Sequence, residues 1–346
     1  MSPRSGTRPR RRILIAPFSR NPYITSLCEG LRARGFIATV LDLPNLFVPR
    51  GFTSRVDVLH VHWLDRFFAA GRRRQAYARA MSFLAQVRYA IRVQGLHVVW
   101  TCHTLESHGH PYPHLDDQLR RRFARIASAI VVHSSFAKAR LVERFDVEPR
   151  RVTVLPHPNY DEAYSVGTRF VPPPGEGPVL LSLGCDKGIE RIIDASVNCR
   201  VPHRLWIVGE VEQGFDDAKV VIAASAHRHI TYRPGALDLD EVAGIFAASD
   251  VVVPPACDIL TSDSLVLAMS MAKPCVVPGN SYAKGVLPEA GGVFYRVEDA
   301  SALRRAFEDV LNRTADYESM GELNRATALQ WDWPSFVRAT AELYRA

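Results

Sequence analysis

The sequence predicts an α/β protein built from two doubly wound parallel sheets, and three observations support this prediction. Short apolar runs bounded by turn residues alternate with longer stretches of helical periodicity. That alternation is typical of parallel strands buried on both faces and covered by helices. It stops at residues 167–178, which are rich in proline and glycine, and then starts again. With 346 residues, the chain is long enough for two domains.

In the first half, apolar runs predict the strands and helical periodicity predicts the segments between them. The predicted strands are 13–17, 36–42, 56–63, 97–103 and 128–134, with the run 152–157 closing the half. The predicted helices are 23–34, 72–94, 114–127 and 135–145.

The second half repeats the pattern after the linker. Its apolar runs, which predict strands, are 179–184, 203–209, 219–225, 229–232, 250–255, 274–279 and 291–295. Its predicted helices are 187–196, 239–248, 264–272, 299–312 and a last one at about 334–345. Ligands of open α/β sheets bind outside the carboxyl ends of the strands. The loops expected to carry function are therefore those after residues 17, 63, 103, 157, 184, 209, 255 and 279.

Composition excludes several classes of protein. No apolar run reaches the roughly 18–20 residues of a membrane span. The first run, Ile13 to Phe18, is too short for a signal peptide, so a cytosolic chain is expected. The six cysteines are scattered without a C-x-x-C pair, which predicts reduced thiols and neither a zinc site nor a disulfide framework.

Charge is distributed unevenly along the chain. Residues 1–155 carry a net charge of +16 and the remainder −9. This asymmetry predicts that the first half meets an anionic partner, and the absence of a finger, helix-turn-helix or RNP-type pattern argues against nucleic acid. The arginines of 72–92 alternate with aromatic and aliphatic residues, which fits either an interfacial amphipathic helix or a surface helix with one buried stripe.

Common nucleotide and nucleophile motifs are absent. The first strand is followed by residues 16–23, APFSRNPY, and not by G-x-G-x-x-G. The chain also lacks the phosphate loop G-x-x-x-x-G-K-[ST] and the nucleophile elbow G-x-S-x-G. These absences argue against a dehydrogenase, a P-loop protein and an α/β-hydrolase.

A phosphate site is one interpretation of the loop before the helix at 264–272. Thr261, Ser262 and Ser264 bring hydroxyls to a helix N-terminus, where amide groups and the helix dipole favour an anion. The alternative is a plain N-cap. Lys187, in the loop after strand 179–184, could contact a second phosphate oxygen, or it could be an ordinary surface lysine.

Histidines are concentrated in the loops of the first half. They are His60, His62, His103, His108, His110 and His114. Such histidines could bind a metal ion, but no pattern of carboxylates or cysteines completes a set of ligands. We therefore predict a general base at a strand end, with His62, Asp65 and His103 as candidates, and a hydrogen-bonded core position for His60.

Six stretches, in order and spacing, resemble one family of enzymes. They are NPYITSLCEGL (21–31), DVLHVHWLD (57–65), VVWTCHTLESH (98–108), VTVLPHPNY (152–160), LTSDSLVLAMSMAKPCVVP (260–278) and WDWPSFVRATAELY (331–344). The chain thereby resembles the GT-B bacterial exopolysaccharide glycosyltransferases related to the β-mannosyltransferase of xanthan assembly. The resemblance implies two Rossmann-like domains across a cleft, 11–166 for the acceptor and 175–330 for the donor. It also implies a C-terminal helix, within 331–346, that crosses back to the first domain.

The resemblance also implies an activity. A sugar, with mannose from GDP-mannose as the first guess, would pass from a nucleotide diphosphate to a lipid-linked oligosaccharide at the anionic inner leaflet, in cell-surface polysaccharide assembly. The enzyme would be cytoplasmic and peripherally membrane-associated, inverting, and independent of metals and other cofactors. The implied donor contacts are Lys187, Gly209, Thr261, Ser262, Asp263 and Ser264. Asn21, Tyr23 and His108 would contact the acceptor, with Asp65 or His103 as the base beside His62.

Several positions differ from the family pattern. Asp263 stands where the pattern has glycine, and Ala272 replaces a second glycine. Ile259 and Leu267 occupy the places of two glutamates found in many related retaining enzymes. These differences leave three alternatives open: a retaining transferase with another donor, a non-catalytic glycan-binding scaffold, and a nucleotide-sugar epimerase.

Overall fold

A computed structural model gives the fold. It describes residues 11–19, 21–41, 56–68, 71–106, 111–161, 163–164, 170–186, 188–212, 214–255 and 260–345. Two predicted site residues, Lys187 and His108, lie outside these ranges. Contacts divide the chain into two compact units, Met1–Leu155 with Trp333–Ala346, and Pro156–Asp332.

The first unit is built on a parallel sheet in the order β2-β1-β3-β4-β5-β6. Its strands are β1 (Arg12–Ala16), β2 (Ile37–Val40), β3 (Val58–Val61), β4 (His97–Thr101), β5 (Ala129–Val132) and β6 (Val152–Val154). Its helices are α1 (Pro22–Ala33), α2 (Arg73–Gln94), α3 (Pro113–Ile126), α4 (Ser135–Phe145) and, from the end of the chain, α12 (Trp333–Leu343). β3 and β5 are buried at every position, as expected for strands covered on both faces.

The second unit has a parallel sheet in the order β12-β11-β10-β7-β8-β9. Its strands are β7 (Val179–Cys185), β8 (Arg204–Val211), β9 (Ile230–Pro234), β10 (Val251–Val252), β11 (Cys275–Pro278) and β12 (Gly292–Tyr295). Its helices are α5 (Ile189–Val197), α6 (Ala218–Ala226), α7 (Leu239–Ala247), α8 (Asp263–Ser270), α9 (Ser281–Val286), α10 (Ala302–Leu311) and α11 (Tyr317–Ala328). The predicted fold class, two doubly wound α/β sheets, is confirmed.

One predicted strand is wrong, since residues 219–225 lie within helix α6. The run KVVIAAS is rich in β-branched residues, which favour strands. However, β8 and β9 are adjacent and parallel, and parallel neighbours need a crossover connection, usually a helix. The topology of the sheet therefore overrides local propensity here.

Besides α6, two further helices, α9 and α11, are absent from the sequence prediction. In α11 the side facing the protein carries Gly321 and Asn324, which are poor helix formers. A Cβ on Gly321 would lie 2.1 Å from the carbonyl oxygen of Ala272. The residues that weaken the helical pattern are thus those that let α11 pack closely.

Helix α2 has a buried stripe formed by Ala76, Ala80, Phe83, Leu84, Val87 and Ala90. The longer apolar side chains of the arginine-rich stretch therefore pack into the first unit, as in an ordinary surface helix. Its arginines, together with Tyr89 and Val93, are on the exposed side. No helix among the described residues has the length and apolar character that crossing a bilayer requires.

Helix α12 packs on α1 within the first unit. Gly30 of α1 faces Val337 of α12, and a Cβ on Gly30 would lie 2.6 Å from Val337 Cγ2. Phe336, Val337 and Tyr344 are buried in the same core as Tyr23 and Leu27. The expected return of the last helix to the first half is therefore confirmed.

Candidate active site

The order of strands locates one candidate region in each unit. In an open α/β sheet, ligands bind beyond the carboxyl ends of the strands where the strand order reverses. In the first sheet this switch lies between β1 and β3, and in the second between β7 and β10. The loops after these four strands contain most of the site residues predicted from the sequence.

In the first unit the structure brings together three predicted residues, His62, His103 and Tyr23. His62 follows β3 directly, and its Nδ1 is 3.1 Å from Nε2 of His103, in the loop after β4. The edge of Tyr23, in the first turn of α1, contacts both imidazoles, with ring centroids 5.5 and 5.4 Å away. All three side chains are buried. They form a tight cluster that fixes the orientation of the two histidines.

His62 is held neutral by this environment. Burial lowers the pKa of His62 well below its ordinary value, and the neighbouring His60, His103 and His133 lower it further. Its Nε2 is buried and has no hydrogen-bond partner among the described residues. Because it is buried and bonded to His103, His62 fits a positioning role better than direct proton transfer.

His60 is the core histidine that the sequence predicted. Its Nδ1 is 2.6 Å from the hydroxyl of Tyr344, and its Nε2 is 2.7 Å from Oγ1 of Thr101. The side chain is fully buried, and burial lowers the pKa of His60 to about 3. Both ring nitrogens are thus occupied, and the residue ties β3 to the end of the chain.

Asp65 lies in the 3-10 turn Leu64–Phe67 that follows β3. Its carboxylate is 32% exposed, and its Oδ1 is 3.8 Å from Nη2 of Arg120. Arg120 is buried and forms two hydrogen bonds from Nε to Asp116, at 2.9 and 3.0 Å. It also donates from Nη1 to the carbonyl oxygen of Thr104 at 2.7 Å. Arg120 therefore connects the loops after β3 and β4.

Asn21 acts as the N-cap of α1. Its Oδ1 accepts a hydrogen bond of 3.0 Å from the amide of Tyr23. Pro22 occupies the first helical position, as is common at helix starts. This arrangement explains why α1 starts at the end of the β1 loop and places the ring of Tyr23 among the histidines.

In the second unit, the N-terminus of α8 contains the predicted hydroxyls. Ser262 is the N-cap, and its Oγ accepts from the amide of Leu265 at 3.1 Å. Its Oγ is also 3.1 Å from Oγ of Ser264. The amide of Ser262 donates to the hydroxyl of Tyr282 at 2.9 Å, and Oγ1 of Thr261 is 3.5 Å from that hydroxyl. The capping interpretation of Ser262 is therefore confirmed, while the remaining first-turn amides keep their general affinity for anions.

Asp263 adds a negative charge at the same helix terminus. Its Oδ1 is 3.3 Å from Nε2 of His157, a buried residue in the segment after β6. Burial and the charge of Asp263 raise the pKa of Tyr164 to about 12. A carboxylate is favoured at this end of a helix. An incoming phosphate would nevertheless experience its repulsion, and the contact with His157 holds the carboxylate in place.

Glycines bring the loops of the second switch point close together. A Cβ on Gly188 would lie 1.5 Å from the carbonyl oxygen of Pro255, so the loops after β7 and β10 touch. Gly209 has φ +122°, and a Cβ there would lie 3.0 Å from the amide nitrogen of Gly184. Such close backbone approach requires glycine. Gly209 is thus part of the packing at the ends of β7 and β8.

Five contributors to these regions were missed in the sequence. They are Trp63, Arg120, His157, Tyr164 and Tyr282. Two of them, Trp63 and His157, lie inside stretches that carry the family resemblance. No local pattern marks the contacts of Arg120 with Thr104 and Asp65, or that of Tyr282 with Ser262, since these partners are distant in sequence.

Two sequence comparisons relate the chain to known proteins. Residues 21–158 match the family described as glycosyltransferase family 4. The chain is 26% identical over 340 residues to the GDP-mannose:glycolipid 4-beta-D-mannosyltransferase of Xanthomonas campestris pv. campestris, covering 91% of this chain and 85% of that protein.

Solved structures share the fold. Sucrose-phosphate synthase from Thermosynechococcus elongatus matches with a TM-score of 0.75 and 17% identity, over 97% of this chain and 98% of the other. Anabaena HepE in complex with UDP-glucose matches with a TM-score of 0.70 and 12% identity, over 96% and 98%. The chain is therefore a glycosyltransferase of the GT-B fold, and its residues 21–158 match glycosyltransferase family 4.

Proposed function

We propose that this glycosyltransferase moves a hexose from a nucleotide diphosphate to a lipid-linked oligosaccharide in cell-surface polysaccharide assembly, with GDP-mannose as the first candidate donor. One observation carries the proposal: the likeness to a GDP-mannose:glycolipid mannosyltransferase extends over 91% of the chain. A likeness of that extent takes in residues of both units.

The donor is assigned to the second unit. Its support is the N-terminus of α8 at the β7/β10 switch, with the hydroxyls of Ser262 and Ser264 3.1 Å apart. First-turn amides and the helix dipole favour a diphosphate there. We assign Thr261, Asp263 and Gly209 to the same region, and Lys187 to the diphosphate oxygens. In this proposal Asp263 orients the hydroxyls or the sugar and does not contact phosphate.

The acceptor is assigned to the first unit, with contacts from Asn21 and His108. Tyr23, which the resemblance also implied as an acceptor contact, is fully buried and packs against His62 and His103 instead. The acceptor hydroxyl attacks the anomeric carbon, the bond from that carbon to the diphosphate oxygen breaks, and the hydroxyl proton passes to a base. Asp65 is favoured as the base because its carboxylate is 32% exposed. His103 is buried, and its Nε2 is already bonded to His62. The departing nucleoside diphosphate takes the bonding electrons, and the α8 terminus stabilises its charge.

The donor is identified by thermal stabilisation with a set of nucleotide sugars. We expect GDP-mannose to raise the melting temperature, because a ligand at one hundred times its Kd adds about 2.7 kcal/mol of stability. GMP, which lacks the second phosphate, serves as the control ligand. If no nucleotide sugar raises the melting temperature or is consumed with a glycolipid acceptor, the proposal fails.

Stereochemistry and metal requirement are tested on the same reaction. We propose an inverting transfer that needs no metal. The NMR coupling at the new anomeric centre should show the configuration opposite to that of the donor, and activity should persist in excess EDTA. Retention of configuration would support the retaining alternative, and loss of activity in EDTA would contradict metal independence.

Helix α2 supports association with an anionic leaflet. Residues 72–94 hold six arginines and no acidic residue, and all six arginines are exposed. Among the described residues none of the six forms an ion pair, while Tyr89 and Val93 are each 61% exposed. Arginine beside exposed aromatic and aliphatic groups suits a lipid surface.

A vesicle experiment tests this association. Replacing Arg72, Arg73 and Arg74 with glutamine should weaken cosedimentation with phosphatidylglycerol vesicles, and added salt should weaken it further. Neutral vesicles are the control. Undiminished binding of the triple variant would contradict a role for the start of α2.

A further inference from the structure

Arg66 occupies a prominent place beside the proposed base. It lies in the turn Leu64–Phe67, directly after β3, at the strand-order switch of the first sheet. Its neighbour in sequence is Asp65, the favoured base. Both residues therefore lie in the loop after β3, at the switch point to which we assign the acceptor.

The guanidinium of Arg66 is held in place by two loops. Nη1 donates a hydrogen bond of 3.0 Å to the carbonyl oxygen of Phe18, in the loop after β1. Cζ lies 5.5 Å from the ring centroid of Trp63. Trp63 in turn stacks on His103, with centroids 4.9 Å apart and an interplanar angle of 10°. The guanidinium therefore lies over a rigid aromatic stack, which reduces the entropy lost on binding.

The charge of Arg66 is uncompensated within the described part of the chain. No carboxylate there lies within ion-pair distance of its guanidinium, whereas the adjacent Asp65 is paired with Arg120. The residue is exposed. Arginine has five N–H donors arranged for two-point contact with phosphate, and its hydrogen bond to Phe18 uses one of them. The free donors at this surface favour an anion.

An apolar group lies next to this cation. Phe18, whose carbonyl oxygen holds Arg66, is 44% exposed. A cation beside an exposed aromatic side chain matches a phosphate joined to a hydrocarbon chain better than it matches a neutral sugar. The chemistry therefore fits the lipid end of the acceptor.

We propose that Arg66 binds the phosphate or diphosphate of the lipid-linked acceptor, with Phe18 contacting the first part of its hydrocarbon chain. The proposal rests on the proposed function, since it names the group of that acceptor which the first unit recognises. Arg66 is then a specificity-determining residue that separates lipid-phosphate acceptors from free oligosaccharides. The same chemistry could also bind an anionic headgroup of the bilayer.

Direct binding tests the proposal without turnover. The probe is farnesyl diphosphate, with farnesol as the uncharged control, and binding is followed by calorimetry with GDP in excess to occupy the donor region. Arg66→Gln should weaken farnesyl diphosphate binding by about tenfold or more, because hydrogen bonds to charged groups are lost. Arg66→Lys should recover part of the loss, since lysine keeps the charge without the fork geometry. Binding of farnesol should not change.

A control variant and a vesicle-binding measurement distinguish the phosphate of the acceptor from the headgroups of the bilayer. Arg125→Gln, at an exposed arginine of α3, should bind farnesyl diphosphate like the wild type. If Arg66→Gln loses affinity for phosphatidylglycerol vesicles but keeps its affinity for farnesyl diphosphate, Arg66 binds bilayer headgroups and the proposal is overturned. Equal farnesyl diphosphate affinity in wild type and Arg66→Gln also overturns it.

Failure of the proposed function can be distinguished from failure of the Arg66 proposal, because different measurements test them. That failure would show as absence of transfer by the wild type with every nucleotide sugar. The Arg66 proposal is judged by the binding of farnesyl diphosphate. Where transfer is measured, Arg66→Gln should raise KM for a diphosphate-linked acceptor at least about tenfold and leave KM for the same glycan on an uncharged alkyl chain unchanged.

Discussion

At the scale of single residues, burial and hydrogen bonding decide which of the three candidate side chains is the best general base. Asp65 is partly exposed and lies near Arg120, whereas His62 and His103 are buried and bonded to each other. The sequence analysis named all three as candidate bases, and exposure to solvent favours Asp65 over the two histidines. The histidine pair is better suited to fixing the loops after β3 and β4.

Asp65→Asn should abolish transfer while leaving donor-induced thermal stabilisation intact. The amide keeps the shape of the side chain but cannot accept the proton of the acceptor hydroxyl, and loss of a general base costs about 10²- to 10⁴-fold in rate. Turnover and melting temperature are measured on the same preparation. Glu143→Gln, a highly exposed carboxylate of α4, is the control and should retain full activity. Transfer by Asp65→Asn at the wild-type rate would place the base elsewhere.

Arg120→Met should destabilise the protein by about 3–5 kcal/mol, since it leaves the buried carboxylate of Asp116 without its partner. Urea unfolding measures the change. Arg125→Met removes an exposed arginine from the same helix and should cost less than about 0.5 kcal/mol. Similar losses for both variants would mean that the buried pair adds nothing to stability.

At the scale of elements, two close helix contacts depend on a glycine at the point of contact. Gly30 lets α12 lie close against α1, and Gly321 lets α11 approach the backbone of Ala272. In both cases a side chain would push the partner away. These contacts explain why helices that look weak by propensity are present in the folded protein.

Gly30→Ala should destabilise the protein by about 1–3 kcal/mol, although alanine favours helix, because its Cβ would overlap Val337. The double variant Gly30→Ala/Val337→Ala relieves the overlap. We expect a favourable coupling energy in the double-mutant cycle, measured by urea unfolding. Gly285→Ala in α9, where no atom lies within 4 Å of the added Cβ, is the control and should be neutral or slightly stabilising. Additive effects would contradict the packing explanation.

At the scale of the whole molecule, buried and half-buried histidines couple folding to pH. Burial lowers the pKa of His60, His62, His97, His203 and His229. These groups stay neutral in the folded protein at a pH where the unfolded chain binds protons. Their contribution to stability is therefore complete above about pH 6.5 and falls as the pH drops toward the folded-state pKa values.

The free energy of unfolding should decrease steadily between pH 6.5 and pH 4.5. For one histidine neutral throughout that range, the loss approaches about 1.4 kcal/mol per pH unit. Since the folded-state pKa of His60 is about 3, His60→Gln should reduce the slope by about one proton in urea unfolding measured across the range. The same substitution at His114, an exposed position of α3, serves as the control for replacing a histidine by glutamine. A slope that His60→Gln does not alter would contradict a neutral buried His60.

Much of this protein follows from sequence alone because its determinants are local or periodic. The apolar runs 56–63 and 128–134 predicted buried parallel strands, which the structure has at Val58–Val61 and Ala129–Val132. Ser262 could be recognised as a possible helix cap because capping acts within three residues. The order of the resembling stretches indicated a glycosyltransferase, whereas the anionic partner that the charge asymmetry predicts for the first half stays a prediction.

Tertiary structure decided the matters that depend on residues distant in sequence. It made 219–225 a helix because β8 and β9 are parallel neighbours. It buried His62 and joined it to His103, 41 residues away. It also placed Arg66 between the Phe18 carbonyl and Trp63. Burial and pairing set both the pKa of a group and its access to ligand, and they arise only when the sheet brings separate strand ends together.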